Sequence, residues 1–439
     1  MTKDVDNVQS RYVFVSGKNW KLSLAELTTF LGTTSFEFKI DDYSRSFFST
    51  TVDRPLDPSI IDRLGGTIKI GISQLTIPLA EVRDAFLRRN KQSRENVRQL
   101  LISNKTVDAV FSHRLETSTF GVSVYVDDHR LQSKSGEMQR FFGSYFKKGL
   151  AARGERSSFM GYPKGRRQQQ LTHVEVLKKE LIEKSGEVLF CLDGREALLA
   201  KTIGVHNPFE FQKRDVDRPC KRRIFSIPPR LARIMVNLSR CRSGSIFLDP
   251  FAGVGTILQE AALAGAEIMG VDIDPWCINS CMLNLNWLRK EYGLRDVCAK
   301  FLVGDARRLS DKIQDGSVDC IATEPDLGPP LRHLPAPAYA SKVICNLKPL
   351  YWGFLAEAYR VLKNAGYLVL VSPWIKTRDR SHVSLDLSEK AEALGFKVVF
   401  PFTQQNFKDS LSEDLIRREK LIDVEERHKI GREIHVFRR

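Results

Sequence analysis

No run of about 18 consecutive apolar residues occurs in this 439-residue chain, so the sequence holds no candidate transmembrane helix. The amino terminus, MTKDVDNVQSRYVF, lacks the apolar core of a signal peptide, and the expectation is a soluble, cytoplasmic protein with no membrane partner. Cysteine is absent before Cys191 and after Cys345, and none of the eight forms C-x-x-C. The closest pair, Cys277 and Cys281, has the spacing of one helix face. The paired short spacings of a zinc site are missing, so the sequence predicts buried free thiols in a reducing compartment and no metal. Internal repeats and long low-complexity segments are also missing, and 28 Gly and 18 Pro are too few for a collagen-like or disordered chain. A third glycine at the dinucleotide spacing and the Gly-Lys-Ser/Thr of a P-loop are lacking as well, which argues against a pyrophosphate or triphosphate cradle.

What the chain does have is positive charge. Lys plus Arg number 68 against 53 Asp plus Glu, a balance of +15. Such an excess suits either a polyanion partner, nucleic acid first, or a basic but otherwise ordinary enzyme. Between Arg140 and Arg167, eight basic residues stand against Glu155 alone, interleaved with Phe141, Phe142, Tyr145, Phe146, Phe159 and Tyr162. Cations beside aromatic rings suit a surface that neutralises phosphates and stacks unpaired bases. The competing reading is a solvated face with the aromatics turned into a core. A second cluster, Lys213, Arg214, Arg218, Lys221, Arg222 and Arg223, sits among Pro208, Pro219, Pro228 and Pro229, and reads as an interdomain connector or a direct substrate contact.

The periodicities divide the chain. Strand-like runs at Arg11–Gly17, Thr67–Ile70, Val107–Phe111 and Phe120–Tyr125, a short helix through Leu22–Leu31 with Ser23 as its cap, and helical spacing from Leu79 to Leu101 predict α/β structure over roughly the first 200 residues. From Ser243 onward, strand runs at Ser245–Leu248, Ile268–Val271, Lys300–Val303, Val318–Ala322, Gly366–Val371 and Lys397–Phe400 alternate with helical segments such as Thr256–Ala264 and Leu350–Leu362. That alternation calls for a parallel sheet with helices on both faces. The mixed-charge run from Glu413 to Arg432 reads as a solvated helix or loop leading into a last strand, Glu433–Phe437.

Ligands of such sheets sit beyond the carboxyl ends of the strands. The first end reads Leu248-Asp-Pro-Phe-Ala-Gly-Val-Gly-Thr-Ile257. Gly253 and Gly255 allow a sharp turn and close approach to the backbone, and Thr256 is placed to cap the next helix. The second ends at Asp272, a carboxylate suited to two adjacent ribose hydroxyls, with Asp274 placed to cap the following helix. The third ends at Asp305, placed to accept from an adenine amino group.

Asp249-Pro-Phe-Ala-Gly-Val-Gly-Thr256, Asp272-Ile-Asp-Pro275 and Gly304-Asp305 resemble the S-adenosylmethionine-binding motifs of class I methyltransferases. More closely, they resemble those of the THUMP-domain tRNA guanine-N2 methyltransferases that act at position ten. Tyr12–Asn19 with Leu22–Leu27, Leu64–Lys69, Phe120–Tyr125, Val205–Phe211, the Arg214-Asp215 pair and Ile227–Ala232 also resemble segments of that family, so the likeness is nearly full length. It implies a ferredoxin-like α/β region at 1–75, a THUMP RNA-binding domain at 76–203, a basic linker at 204–223 and a Rossmann-like methyltransferase domain at 224–439. It also implies S-adenosylmethionine as cofactor, tRNA as substrate and a small zinc-binding activator subunit as a candidate partner. By motif position, Asp249, Phe251, Gly253, Gly255, Thr256, Asp272, Ile273, Asp305 and Ala306 would hold the cofactor.

The fourth strand end, Ala322-Thr-Glu-Pro-Asp-Leu-Gly-Pro-Pro330, departs from the family's Asp-Pro-Pro-Tyr. Glu324 takes the place of the acceptor, Pro325 is kept, and Asp326 and Leu327 replace the second proline and the aromatic. The resemblance implies Glu324, Pro325 and Asp326 as the catalytic group. An exocyclic amine has its lone pair delocalised into the ring, and a side-chain acceptor plus a backbone carbonyl would hold its N–H groups and aim the nitrogen. With no aromatic at Leu327, base stacking would have to come from Trp374, Tyr339 or the amino-terminal region. Two alternatives stay open at this point: a DNA amino-methyltransferase, and a catalytically silent tRNA-binding protein.

Overall fold

The computed structural model describes residues 9–111, 117–161, 170–183, 186–222, 226–294, 297–400, 402–409 and 420–439. Tyr162, Lys164, Arg166, Arg167, Arg223 and the first part of the mixed-charge run, 413–419, lie outside them.

Two sheets organise the described residues. The first contains β1 (Ser10–Ser16), β2 (Phe38–Tyr43), β3 (Phe47–Val52), β4 (Thr67–Pro78), β5 (Thr117–Val126), β6 (Arg156–Phe159), β7 (Glu187–Leu192) and β8 (Glu196–Val205), in the order β2-β3-β1-β4-β8-β7-β5-β6. Antiparallel pairing of β4 with β8, from Lys69 opposite Val205 to Pro78 opposite Glu196, carries the sheet without a break through residues 10–205. In the middle of this sheet Lys69 of β4 and Glu187 of β7, one strand apart across β8, form a fully buried ion pair, with Ser123 also donating to Glu187. A buried charge is tolerated only when paired and hydrogen-bonded, as this one is.

The second sheet holds β9 (Ile246–Asp249), β10 (Glu267–Asp272), β11 (Ala299–Val303), β12 (Val318–Thr323), β13 (Leu362–Lys376), β14 (His382–Ser384), β15 (Lys397–Val398), β16 (Leu421–Asp423) and β17 (Ile430–Arg438). Its path is β11-β10-β9-β12-β13-β17-β15. The run from β11 to β13 is parallel, as the alternating pattern predicts. The chain winds outward from β9 to β11, then returns to β12 on β9's other side, which makes the β9–β12 boundary the topological switch point of a Rossmann-like sheet. β17 runs antiparallel to β13, β15 and β16. Only a short turn joins β16 to β17, and a turn cannot make the long crossover that a parallel neighbour needs.

The two sheets share one core. The helix Trp20–Gly32 packs on the helix Pro229–Leu238, and a single apolar cluster runs from Tyr12, Phe14 and Leu27 to Met235, Phe247 and Val369. At that junction the buried Glu26 accepts from the Gly65 N–H (2.8 Å), the Gly66 N–H (2.7 Å) and Asn237 Nδ2 (2.7 Å). Arg230 Nε donates to the Gly65 carbonyl at 2.7 Å. A Cβ at Gly65 would come within 2.3 Å of the Arg230 carbonyl oxygen, so only glycine permits this approach.

Two local expectations are corrected and a third is refined. Val107–Phe111 is not a strand: Asn104–Val110 is helical, capped by Ser103 accepting from the Thr106 N–H, and Val107 and Val110 are buried in the second core cluster. Packing there overrides the β preference of valine. The cap of the first helix is Asn19, whose side chain accepts from the Leu22 N–H, while the Ser23 hydroxyl donates to the Asn19 and Gly66 carbonyls. The helical spacing from Leu79 to Leu101 resolves into two helices, Leu79–Phe86 and Lys91–Ile102.

Candidate active site

A cavity of about 570 Å³ opens at the carboxyl ends of β9, β10, β11 and β12. Of the residues singled out from sequence, Asp249, Phe251, Gly253, Thr256, Asp272, Ile273, Asp305, Ala306, Glu324, Pro325 and Asp326 line it, and Gly255 does not. Gly255 instead occupies the left-handed region (φ +85°) as the cap of the helix Thr256–Leu263, where a Cβ would lie 3.2 Å from Cys281 Sγ. Thr256 is thus the first residue inside that helix and not its cap.

The turn after β9 is held from three directions. The Asp272 carboxylate accepts from the Gly253 N–H (2.8 Å) and the Asp274 N–H (2.9 Å), tying the end of β10 to the glycine turn. Asn284 donates to the Val254 carbonyl (2.8 Å) and makes a reciprocal pair with the Cys220 backbone. Arg218 Nη1 donates to Thr256 Oγ1 at 2.6 Å and Nη2 to Ser226 Oγ at 3.0 Å. The basic connector is therefore built into this site. Its helix Pro208–Val216 also sends the buried Arg214 to Glu260, which takes Arg233 on its other oxygen. Asp274 caps the helix Pro275–Tyr292 by accepting from the Trp276 N–H, and Cys277 and Cys281 lie buried on that helix. Burial pushes the Cys277 thiol up to about 12, so it is a thiol and not a nucleophile near neutrality.

Asp249 is fully buried at the floor. Burial pushes its carboxyl up to about 7, against the opposing hydrogen bonds from Thr323 Oγ1 (2.6 Å) and the Phe251 N–H (3.2 Å). Asp305 differs: its ion pair with Arg307 (2.6 Å) and the Arg307 N–H (2.9 Å) hold it below the usual carboxylate range. Beside them the apolar side chain of Ile273 is 70% exposed at the cavity wall.

At the end of β12, Glu324 forms an ion pair with Arg432 through Nε, with a second contact from Nη2 at 3.3 Å. Asp326 is exposed; its carboxylate accepts from the Gly328 N–H (3.0 Å) and its carbonyl from the buried Tyr351 hydroxyl (3.0 Å). Leu327 completes this wall. Neither stacking candidate reaches the cavity. Trp374 lies against His382 with ring centroids 4.6 Å apart, and Tyr339 stands exposed near the start of the helix Pro337–Val361. Sequence reasoning missed the wall residues Arg307, Leu350 and Arg432, whereas Arg222, also in the wall, belongs to the basic cluster read as a connector or a substrate contact. For Arg432 a signal existed in the alternation Arg432, Ile434, Val436, which extends the last strand back into the run read as solvated.

The amino-terminal basic stretch has a mixed outcome. Phe141, Phe142 and Phe146 on the helix Ser135–Ala152 are core residues, with Phe142 packed 4.1 Å from Phe190, so they offer no ring to a base. Arg140, Lys147, Lys148 and Arg156 are exposed.

Comparison with known proteins gives the context. A family model described as an RMKL-like methyltransferase domain matches residues 219–380. The tRNA (guanine(10)-N2)-dimethyltransferase of Pyrococcus abyssi is 31% identical over 212 residues, 48% of this chain and 56% of that protein. That of Methanocaldococcus jannaschii is 36% identical over 30% of this chain and 40% of its own length. A relative from Methanothermococcus thermolithotrophicus, named a probable tRNA (guanine(10)-N2)-dimethyltransferase, is 33% identical over 33% of this chain and 79% of its own length. The chain spans about half the length of the first curated relatives it matches. The crystal structure of TrmN from Thermus thermophilus shares the fold over 98% of this chain and 99% of its own, at a TM-score of 0.52 and 17% identity. With its carboxylates gathered at the switch point of such a sheet, the chain belongs to the family of the tRNA (guanine(10)-N2)-dimethyltransferases.

Proposed function

We propose that this protein is an S-adenosylmethionine-dependent tRNA methyltransferase acting on the exocyclic N2 amine of a guanosine, at position ten by analogy with its relatives. The observation that carries this reading is the convergence of acids from four successive strand ends on one cavity beside a glycine turn. The donor set suits the cofactor. A Cβ at Gly253 would meet nothing within 4 Å, so the backbone there is open to a ligand, and Gly253 adopts φ +53°. Asp272 offers a carboxylate to a ribose diol, Asp305 an acceptor to an adenine edge, and the exposed Ile273 an apolar surface to the purine plane. Phe251, Thr256 and Ala306 shape the remainder, Asp249 lies beneath the turn, and Gly255 sets its bend.

The bound cofactor supplies an electrophilic methyl group; the protein's task is to place the amine. Glu324 and the Pro325 carbonyl accept the amine's two N–H groups and point the nitrogen lone pair along the transfer axis, while Asp326 shapes the loop that carries them. Alignment and exclusion of water supply the acceleration, since proton loss can follow attack. The ferredoxin-like and THUMP regions grip tRNA as one unit, since β4 and β8 run on through residues 75 and 203, the basic segment that follows joins them to the catalytic domain, and the protein works in the cytoplasm. Among the described residues no helix is long and apolar enough to cross a membrane.

The test is incubation with methyl-labelled cofactor and unmodified tRNA, with and without a small zinc-binding activator subunit, followed by mass-spectrometric mapping of the labelled nucleoside. Label in N2-methylguanosine is the expected result. Label on another atom overturns the acceptor assignment. Cofactor binding without any label in tRNA overturns the enzyme reading in favour of a silent binding protein.

A further inference from the structure

One strand of the second sheet outruns its neighbour at the catalytic edge. β12 ends level with Leu370 of β13, the partner of Thr323, but β13 runs six residues farther, to Lys376. At about 3.3 Å per residue it rises roughly 20 Å past the end of β12. β17 lines one side of this extension and β14 the other, with Trp374 opposite Ser384 and Lys376 opposite His382. Arg432, in the cavity wall, lies opposite Pro373, so the tip of the β13–β14 hairpin stands above the rim of the cavity. The tip is a three-residue loop, Arg378-Asp379-Arg380. The Thr377 N–H donates to the Ser381 carbonyl (3.0 Å) and the Arg380 N–H to the Thr377 carbonyl (3.1 Å), closing it. Loops of this kind put their third residue in the left-handed region and favour glycine there. Arg380 takes that place, at φ +66°. A side chain held in a conformation it resists points to a use for it beyond the stability of the fold. The Asp379 carboxylate turns back into the loop, accepting from the Ser381 N–H (3.2 Å) and from the Ser381 and Thr377 hydroxyls. The Arg378 N–H donates to the Pro335 carbonyl (3.0 Å), which fastens the tip to the segment leaving β12. That segment and the start of the helix Pro337–Val361 expose Arg332 and Lys342, together with the apolar faces of Leu334 and Tyr339. Among the described residues Arg332, Lys342, Arg378 and Arg380 are exposed and pair with no carboxylate, whereas Arg307, Arg360 and Arg432 of the same domain are all paired.

We infer that the β13–β14 hairpin tip, with Arg332 and Lys342 beside it, is an RNA-docking rim that takes the backbone phosphates flanking the nucleotide whose base enters the cavity. This rests on the methyl-transfer reading above and deepens it by naming the surface that presents the substrate. A base modified inside a pocket leaves its stack, while its phosphates stay outside at the mouth. Unpaired cations at that mouth neutralise them, and the guanidinium fork matches two phosphate oxygens at once. Because hydrogen bonds already fix the loop, little order has to be imposed on it when RNA arrives. Contacts of this kind set the register and orientation of the strand without reading its sequence. Leu334 and Tyr339 add apolar faces of the sort on which unpaired bases stack. An ordinary solvated loop would need neither an arginine at the left-handed position nor the tie to Pro335.

The experiment measures affinity for unmodified tRNA across a salt series, thermal melting and single-turnover methyl transfer. It compares wild type with R378Q/R380Q, R378K/R380K and R380G. K397Q/R438Q is the control, since it removes the same charge at the opposite, amino edge of the sheet, where Lys397 faces Arg438. R378Q/R380Q is expected to weaken tRNA binding roughly tenfold near physiological salt and to flatten the slope of log affinity against log salt by about 1.5. Transfer at saturating tRNA is expected to stay within about threefold of wild type, because the rim holds the substrate and not the reacting atoms. R378K/R380K, which keeps the charge without the fork, is expected to keep the wild-type slope. R380G is expected to bind tRNA roughly threefold more weakly while melting no lower than wild type, since glycine suits the left-handed position. The inference is overturned if R378Q/R380Q binds within about twofold of the control, or if its loss of affinity is matched by a fall in melting temperature. A lysine variant as weak as the glutamine variant overturns it too. Binding decides this inference separately from chemistry: a wild type that binds tRNA as expected but labels nothing overturns the methyl-transfer reading alone. A wild type that fails to bind tRNA overturns both.

Discussion

Arg214 and Arg218, in the segment between the two sheets, are 4% and 2% exposed and bonded to Glu260 and Thr256. Arg140, Lys147 and Lys148, on the helix Ser135–Ala152, stand in solvent above a buried row of phenylalanines. By composition both stretches are rich in cations, although the connector also carries Glu210, Asp215 and Asp217. What separates them is partnership over distance. Glu260 lies 46 residues from Arg214 and Thr256 lies 38 from Arg218, and each supplies an acceptor that lets a guanidinium leave water. Among the described residues Arg140, Lys147 and Lys148 of the helix Ser135–Ala152 meet no such acceptors, so these cations stay hydrated while the phenylalanines take the interior. Charge density alone does not say which side of the surface a basic run occupies; long-range acceptors decide it.

The sharpest break in this comparison is E260A. It strands two buried guanidinium groups, Arg214 and Arg233, and breaking a buried pair this way costs about 3–5 kcal/mol. Urea denaturation is expected to show that loss, with little change when salt is raised because the pair is shielded from ions. A loss no larger than that of a surface substitution would mean that the connector is not part of the catalytic fold.

A second effect is set by pH. Asp249 has its carboxyl raised to about 7 in the folded protein, against about 4 when unfolded. The folded state therefore holds the proton more tightly, and this contribution to stability is complete below about pH 4 and is lost as pH rises through about 7, at up to ~1.4 kcal/mol per unit. D249N keeps an oxygen for the Thr323 hydroxyl and has nothing to titrate. Its stability relative to wild type is expected to improve steadily between pH 5 and pH 7.5 in paired urea titrations, and a pH-independent difference would refute the assignment. Smaller again is R218M, which removes the donor to Thr256 Oγ1 while keeping much of the buried volume. Cofactor affinity by calorimetry is expected to drop roughly tenfold, the weight of one charge-assisted hydrogen bond on the turn.

These contrasts also mark how far the sequence alone could be read. The glycine turn, Asp249, Asp272, Asp305 and Glu324 were legible because each sits at the end of an apolar run whose period announces a strand, and parallel strands put their carboxyl ends on one edge. Asp274 as a helix cap was legible for the same local reason. Arg432 was not, because it reaches Glu324 only through a sheet order that places β13 between them. The helix Asn104–Val110 reads as a strand from its valines, which follow packing over propensity, and Ser23 reads as the cap that Asn19 in fact supplies. Direction was illegible too: spacing put Phe141, Phe142 and Phe146 beside cations, and only the assembled core shows that they face Phe86, Phe111 and Phe190.

The smallest expected effect on stability comes from the exposed side of the comparison, and it sharpens the functional reading most. Replacing Arg140, Lys147 and Lys148 together by glutamine removes charges that make no described ion pair, and the changes at Arg140 and Lys147 are each expected to alter stability by no more than about 0.5 kcal/mol. Lys148 lies 4.9 Å from the Tyr145 ring centre, a contact that an exposed site makes worth about 0.5–1 kcal/mol at most. If this face neutralises RNA phosphates, the cost appears elsewhere. Each lost phosphate contact lowers the slope of log affinity against log salt by about 0.7–0.9, so the triple variant should flatten the tRNA-binding slope by about 2 while cofactor affinity is unchanged. E260A should behave in the opposite manner, unfolding readily yet keeping the wild-type salt slope wherever it remains folded. An unaltered slope in the triple variant would detach this helix from the tRNA surface and move the search to Arg156 and the remaining exposed cations of the first sheet.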